Sequence, residues 1–276
     1  MAHDEELRDH DRGLSHDLPT LLSRRRALTL FGGAGLAAAL AGCGITGTSD
    51  SSGANGSPSA SSAAITASAG TEIPEETGGP YPADGSNGVN VLTESGIVRS
   101  DITKSFGSAS GVARGVPLTV RLKVLDTSNG SGGLAGAAVY LWHCDIDGKY
   151  SLYSEGVTEE NYLRGVQEAG SDGSVTFTSI YPAAYSGRWP HIHFEVYPSI
   201  EAATTASGKL RTSQLALPEE ANKLVYATDG YSRSVQNMAR TSLDTDNVFS
   251  DGYSLQLATV TGDVTDGMIA TLNVPV

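Results

Sequence analysis

The chain has little cysteine, little positive charge and no long apolar run, and each shortage removes a class of protein. Cys43 and Cys144 are its only cysteines in 276 residues. If Cys43 marks a processing site, Cys144 has no intramolecular partner, and stability must come from a core. Lys and Arg number 18 against 31 Asp and Glu, for a formal net charge of −13. Residues 1–43 hold five arginines and six acids, so the imbalance persists without them. Such a chain is a poor partner for nucleic acid, whose phosphates need basic patches. It also gains no electrostatic hold on anionic lipid. The longest apolar run, Ala27 to Ala41, has 15 residues, short of the roughly 20 that span a bilayer.

What that run does have is an export context. Ser23-Arg24-Arg25-Arg26 precedes it, and Leu40-Ala41-Gly42-Cys43 closes it. A basic cluster, a short apolar stretch and a small-residue end make a secretory signal. The paired arginines point to the twin-arginine route. Leu-Ala-Gly-Cys resembles a bacterial lipobox, with Cys43 as the lipidated residue. Residues 1–43 are therefore read as an export signal. Residues 44–70, almost all Gly, Ser, Ala and Thr, cannot bury enough surface to offset chain entropy and read as a flexible linker. The expected location is the outer face of the cell membrane, held by lipid at Cys43, or outside the cell if the signal is simply cleaved. Residues 71–276 are long enough for one well-cored domain.

The domain reads as all-β. Pro117 to Leu125 alternates apolar and polar with period two, the mark of a half-buried strand. Further strands are expected at Ala138–Cys144, Ser174–Ile180, His191–Tyr197, Leu224–Ala227, Ser254–Thr261 and Met268–Val274. Turns rich in Gly, Asp and Pro separate them, and no long helical period intervenes. The expectation is an antiparallel β-sandwich with long loops, in a single domain.

Chemistry concentrates between Trp142 and Val196. On a strand, residues two apart share a face. His191, His193 and Glu195 therefore point one way, and Ile192, Phe194 and Val196 point into a core. Two imidazoles on one face make half of a metal site. Tyr150, Tyr185 and Arg188 lie close in sequence. Phenolate, a hard anionic donor, suits Fe(III) over Fe(II) or Zn(II), and a bound cation would deprotonate a phenol of ordinary pKa near 10.

These motifs resemble those of the intradiol ring-cleavage dioxygenases, the family of catechol and protocatechuate dioxygenases. The residues that carry the resemblance are Gly148-Lys149-Tyr150 after the Trp142 strand, Pro182-Ala183-Ala184-Tyr185, and Arg188-Trp189-Pro190-His191-Ile192-His193. It covers nearly all of residues 76–276, including an arm at Gly79-Pro80-Tyr81, and lacks the helical N-terminal domain of many catechol dioxygenases. The resemblance implies a catalytic β-sandwich holding non-haem Fe(III) through Tyr150, Tyr185, His191 and His193. It implies Tyr185 as a base, Arg188 and Gln214 as catalytic residues beside the iron, and Tyr81 against the substrate. The implied reaction is aromatic compound catabolism, in which O2 cleaves a catechol between its hydroxyl-bearing carbons to a muconate-type diacid.

Rival readings of the residues remain. Tyr153 and Tyr162 compete with Tyr150, and Tyr181 with Tyr185, although each suits packing against the sandwich. His143 reads as a satisfied strand histidine. His191, His193 and Glu195 could instead form an Fe(II) or Zn(II) centre, and a β-sandwich on a lipid tether could be a metal-free binding module. The loop Gly170–Ser174 and the insertion Ser199–Thr212 are expected to shape the pocket. The sequence leaves open which catechol is used and whether the chain forms a homo-oligomer.

The export reading has a direct check. Arg25→Lys with Arg26→Lys is expected to stop export, and Cys43→Ser to release the protein from membranes. Labelling with a radioactive fatty acid measures the second, and unlabelled wild-type protein free in the medium would contradict it.

Overall fold

A computed structural model describes residues 71–276. The expected export signal (1–43, with Cys43) and linker (44–70) lie outside the described residues. Two sheets form the frame. One contains β1 (Pro117–Asp126), β2 (Gly132–Gly133), β5 (Ser174–Ile180), β8 (Thr259–Asp263) and β9 (Gly267–Pro275). The other runs in the order β4 (Arg164–Glu168), β3 (Ala138–Trp142), β6 (His191–Tyr197) and β7 (Arg211–Ala216). This is the expected β-sandwich. The ladders are antiparallel apart from β1 with β9, which run parallel along Leu118 to Leu125.

The alternation in β1 does what its sequence dictates. Leu118, Val120, Leu122 and Val124 are buried, and the residues between them are exposed or half-buried. They meet Val139 and Leu141 of β3, Ile192, Phe194 and Val196 of β6, and Leu215 of β7 in one core between the sheets. β3 and β6 are buried along their whole length, because loops cover the second face of their sheet. That outer face carries Tyr140, Trp142 and Tyr197 together with His191 and His193.

Three expectations change. Leu224–Ala227 is the end of a helix, α1 (Glu219–Tyr226), where a strand was expected. A short apolar run cannot be told from a helix by periodicity alone. Here Glu219 and Glu220 occupy the electropositive first turn. Lys223 pairs with Glu219 one turn away, and Ala221 and Val225 share the face turned to the core. Ser254–Thr261 is mostly turn: β8 begins at Thr259, and Leu257 only bridges to Ala216. β4 and a second helix, α2 (Ser232–Met238), were not expected, and β7 was implied only by the family resemblance at Gln214.

Among the described residues, no helix is long and apolar enough to cross a membrane. Phe194, fully buried between the sheets, tests the core. Phe194→Ala is expected to cost about 3–5 kcal/mol, read as a lowered urea-unfolding midpoint with an unchanged slope.

Candidate metal centre

Register builds the site. Trp142 of β3 and Gln214 of β7 both lie directly opposite His193 of β6. The Trp142 ring therefore stacks on the His193 ring, centroids 5.0 Å apart and planes 5° from parallel. Tyr140 stacks behind Trp142 at 4.9 Å. The imidazole is clamped flat, and its Nε2 lies 3.1 Å from Nε2 of His191. His191 Nδ1 lies 2.5 Å from the Trp189 carbonyl. That contact fixes the proton on Nδ1 and leaves Nε2 as a lone-pair donor.

Two tyrosines complete the group. Tyr185 Oη is 3.1 Å from His191 Nε2 and 3.3 Å from Tyr150 Oη. The loop after β3 aims Tyr150: Asp145 Oδ1 accepts from the Asp147 and Lys149 amides. Gly148 turns this loop at φ +79°, and a Cβ there would come within 3.1 Å of Tyr185 Cβ. Only glycine meets both demands without strain. Tyr185 is aimed from the far side by α2. Ser234 Oγ accepts from the Ala184 amide, and Asn237 Nδ2 donates to the Ala184 carbonyl.

The structure thus brings Tyr150, Tyr185, His191 and His193 together. Burial holds both imidazoles well below their usual pKa, so each ring stays neutral and keeps one lone-pair nitrogen free to bind a cation. Burial also pushes both phenols up, and Arg188 offsets only part of this. A buried phenolate pair needs a compensating charge at its centre. Among the described residues, no three His, Cys, Asp or Glu side chains converge on a metal position. A metal here must therefore draw on the phenols, and two neutral imidazoles with two ionisable phenols fit a hard tripositive ion.

Arg188 lies beside this group and is buried. Its Nε donates to Asp246 Oδ2 at 2.9 Å, its Nη2 to Gln214 Oε1 at 2.6 Å, and its Nη1 is 3.5 Å from His191 Nε2. Burial draws its pKa down, but the Asp246 carboxylate, by charge and hydrogen bond, together with the Tyr185 and Tyr150 phenols holds it above the ordinary value. Gln214 is itself pinned, donating to the Thr77 carbonyl at 2.9 Å. Tyr81 packs its ring 5.1 Å from that of Tyr150. Gly79 passes over His193, where a Cβ would lie 3.4 Å from Cε1.

The rivals are engaged elsewhere. The Tyr153 hydroxyl donates to Asn87, that of Tyr162 to Asp145 and that of Tyr181 to Asn222. His143 is bound between the Cys144 carbonyl and Ser179. Glu195 shares the strand face with the histidines but is taken up by Lys209 at 2.6 Å and Tyr197 at 2.7 Å. That removes it as a third ligand.

Three residues had no signal in the sequence. Asp246 is fully buried and accepts from Arg188 and from the Trp189, Val248 and Phe249 amides. Arg164 joins the Tyr81 and Pro82 carbonyls to Ser151 and Tyr140. Glu76, on the arm, is pushed up to about 7, first by burial and then by Asp251, with Arg188 pulling the other way. Each has at least one partner more than fifty residues away, which no local pattern reports.

Residues 97–193 match the dioxygenase family model Dioxygenase_C. The match spans Tyr150, Tyr185 and both histidines. Among solved structures, the intradiol ring-cleavage dioxygenase of Tetranychus urticae is 24% identical with a TM-score of 0.57, covering 74% of this chain and 94% of that one. Residues 97–193 thus resemble the dioxygenase family model, and the chain shares the fold of that intradiol ring-cleavage dioxygenase. The dioxygenase domain of a carbohydrate-binding fusion protein from Streptomyces sp. SirexAA-E is 22% identical over 75% of this chain and 98% of that one, at a TM-score of 0.47. In sequence, chlorocatechol 1,2-dioxygenase of Rhodococcus opacus is 39% identical over 52 residues, 19% of this chain and 20% of that protein. The match thus spans about a fifth of the curated relative's length.

Asp246→Ala is expected to leave the Arg188 guanidinium buried without its counter-ion. Breaking such a pair costs about 3–5 kcal/mol, and urea unfolding of the variant measures it.

Proposed function

We propose that the protein is a non-haem Fe(III) dioxygenase that opens the ring of a catechol-type substrate between its two hydroxyl-bearing carbons, with O2 as co-substrate. The observation that carries this reading is the chain of contacts from Tyr150 Oη through Tyr185 Oη and His191 Nε2 to His193 Nε2, at 3.3, 3.1 and 3.1 Å. Two phenols and two imidazoles suit ferric iron, because phenolate is a hard anionic donor. The R. opacus relative is a chlorocatechol 1,2-dioxygenase, and its class of chemistry is the one inferred here.

Tyr150, Tyr185, His191 and His193 would hold ferric iron, which would supply a Lewis-acidic, electron-accepting centre for a catechol. The protein's own residues do the rest. Tyr150, His191 and His193 are buried, and their positions are fixed from behind. Tyr185 is half-buried, the more accessible of the two phenols, and its Oη is the base that takes a proton from an incoming catechol hydroxyl. Arg188, held in one orientation by Asp246 and Gln214, stabilises negative charge that develops on the substrate. The stacked Trp142 and Tyr140 rings exclude water from the side behind His193. Export and a lipid anchor at Cys43 belong to the same proposal: an enzyme that acts on small aromatics outside the cytoplasm.

The purified protein is expected to be reddish from tyrosinate-to-Fe(III) charge transfer. His191→Ala and His193→Ala are expected to lose iron and activity together. Arg188→Leu is expected to keep iron and colour while turnover falls about 10²–10³-fold, the usual cost of one positioned electrostatic stabiliser. Arg188→Lys restores little, because a point charge does not replace a planar fork. Metal analysis with oxygen uptake on catechols reads all four variants. A colourless protein carrying stoichiometric zinc would overturn the reading, as would an iron-loaded Arg188→Leu variant of wild-type rate.

A further inference from the structure

The proposed chemistry leaves one buried cation without a task. Arg164 of β4 is 1% exposed. It stands directly opposite Trp142 of β3, and so extends the row of Trp142, His193 and Gln214 to a fourth strand. An arginine carries five N–H donors in one rigid plane, and here each has an acceptor. Nε donates to Ser151 Oγ at 3.1 Å. Nη1 donates to the Pro82 carbonyl at 3.2 Å and to Tyr140 Oη at 3.0 Å. Nη2 donates to the Tyr81 carbonyl at 3.0 Å and to the Ser151 carbonyl at 2.9 Å. None of these acceptors is a carboxylate. A buried charge loses its hydration, and only neutral dipoles offset that loss here. What the fork contributes is geometry, because a planar group fixes its acceptors relative to one another.

The acceptors come chiefly from two segments. Ser151 directly follows Tyr150 in the loop after β3. Tyr81 and Pro82 belong to the arm, which has just passed His193 at Gly79. The Tyr81 ring packs 5.1 Å from that of Tyr150 and 5.1 Å from that of Tyr153. The Tyr140 hydroxyl donates to the Pro82 carbonyl at 2.7 Å, and the Ala83 amide donates to the Tyr153 hydroxyl at 2.9 Å. Tyr81, Pro82 and Ala83 are therefore all held by their backbone atoms. The Arg164 guanidinium also lies over the Tyr153 ring, 5.5 Å from its centroid. Arg164 bonds to none of the four donors. It joins the backbones on the two sides of one aromatic contact, Tyr81 on Tyr150.

We infer that Arg164 is a positioning residue: it locks the arm so that Tyr81 stands against Tyr150, and it acts on substrate binding through Tyr81. The inference rests on the ring-cleavage reading of the site.

The test uses the iron-loaded full chain and catechol. Oxygen uptake gives kcat and KM, and calorimetry under nitrogen, where turnover stops, gives Kd. Arg164→Lys keeps the charge, but one ammonium cannot hold both segments as a fork does. It is expected to raise KM and Kd about tenfold, the size of roughly one lost buried contact. Iron content stays at the wild-type value, and kcat changes by less than about twofold, the mark of lost uniform binding. Misfolding lowers kcat per mole of protein and leaves KM alone, so this split separates positioning from stability. Tyr140→Phe keeps the ring on Trp142 and removes two bonds of the same clamp. It is expected to raise KM about threefold, and it takes the place of Arg164→Lys if that variant does not fold. Combined with Tyr81→Ala, either variant is expected to match Tyr81→Ala alone in KM, since effects that run through one contact do not add. An unchanged KM in both variants, whether or not kcat falls, would overturn the role of Arg164 and leave ring cleavage standing, as would double variants whose effects multiply. A wild type that binds catechol without cleaving it would overturn ring cleavage, and the Kd values of the same variants would still decide the role of Arg164.

Discussion

The register between β3, β6 and β7 is the constraint on which the site depends. Trp142, His193 and Gln214 stand in one row across three strands. A slip of one residue in β6 would turn Ile192 and Phe194 outward and bury both imidazoles in the apolar core. The core between the sheets forbids that slip, because Ile192, Phe194 and Val196 fill it. Apolar packing on one face of a strand therefore fixes the position of imidazole nitrogens on the other. The chemistry inherits its geometry from hydrophobic burial several ångströms away.

The loops solve a second problem, that of holding charge and potential charge out of water. Arg188 and Asp246 are both buried, an arrangement that contributes little net stability because each ion loses its hydration. It does contribute direction. Asp246 accepts from two backbone amides of its own turn and from that of Trp189, so one carboxylate ties the segment before β6 to the turn at residues 246–251. The guanidinium between Asp246 and Gln214 has no room to rotate. A planar fork held at two nitrogens is the arrangement that favours arginine over lysine.

What the sequence made legible follows from how local each signal is. β1, β5 and β6 were readable because one buried face gives period two, and their bounds in the structure match to within a residue. β7, R-T-S-Q-L-A, is buried at five of its six positions yet reads as polar, because its hydroxyls and amide are satisfied by partners far along the chain. β4 carries Arg164, which no local pattern marks and which is almost fully buried against carbonyls brought by the arm. The Leu224 run was misread because Glu219 and Lys223, one helical turn apart, lay outside the window that suggested a strand. The tyrosines and histidines of the site came from motif resemblance, and the structure brings them within contact. Asp246 and Glu76 had no such motif, since what distinguishes them is their surroundings.

The arm that covers the centre is the first part of the domain to be synthesised, and its partners are among the last. Glu75 and Thr77 bond to residues 137 positions further on, and Ile73 donates to the carbonyl of Pro275 at the end of β9. At about 5–20 residues per second, roughly 7–27 s pass between synthesis of the arm and of its partners on β7. The row of Trp142, His193 and Gln214 exists only at the end of that interval, when β6 and then β7 have been made. The cover over the centre is thus tied down by contacts that only later strands supply: β7 at Thr212 and Gln214, then β9 at Pro275.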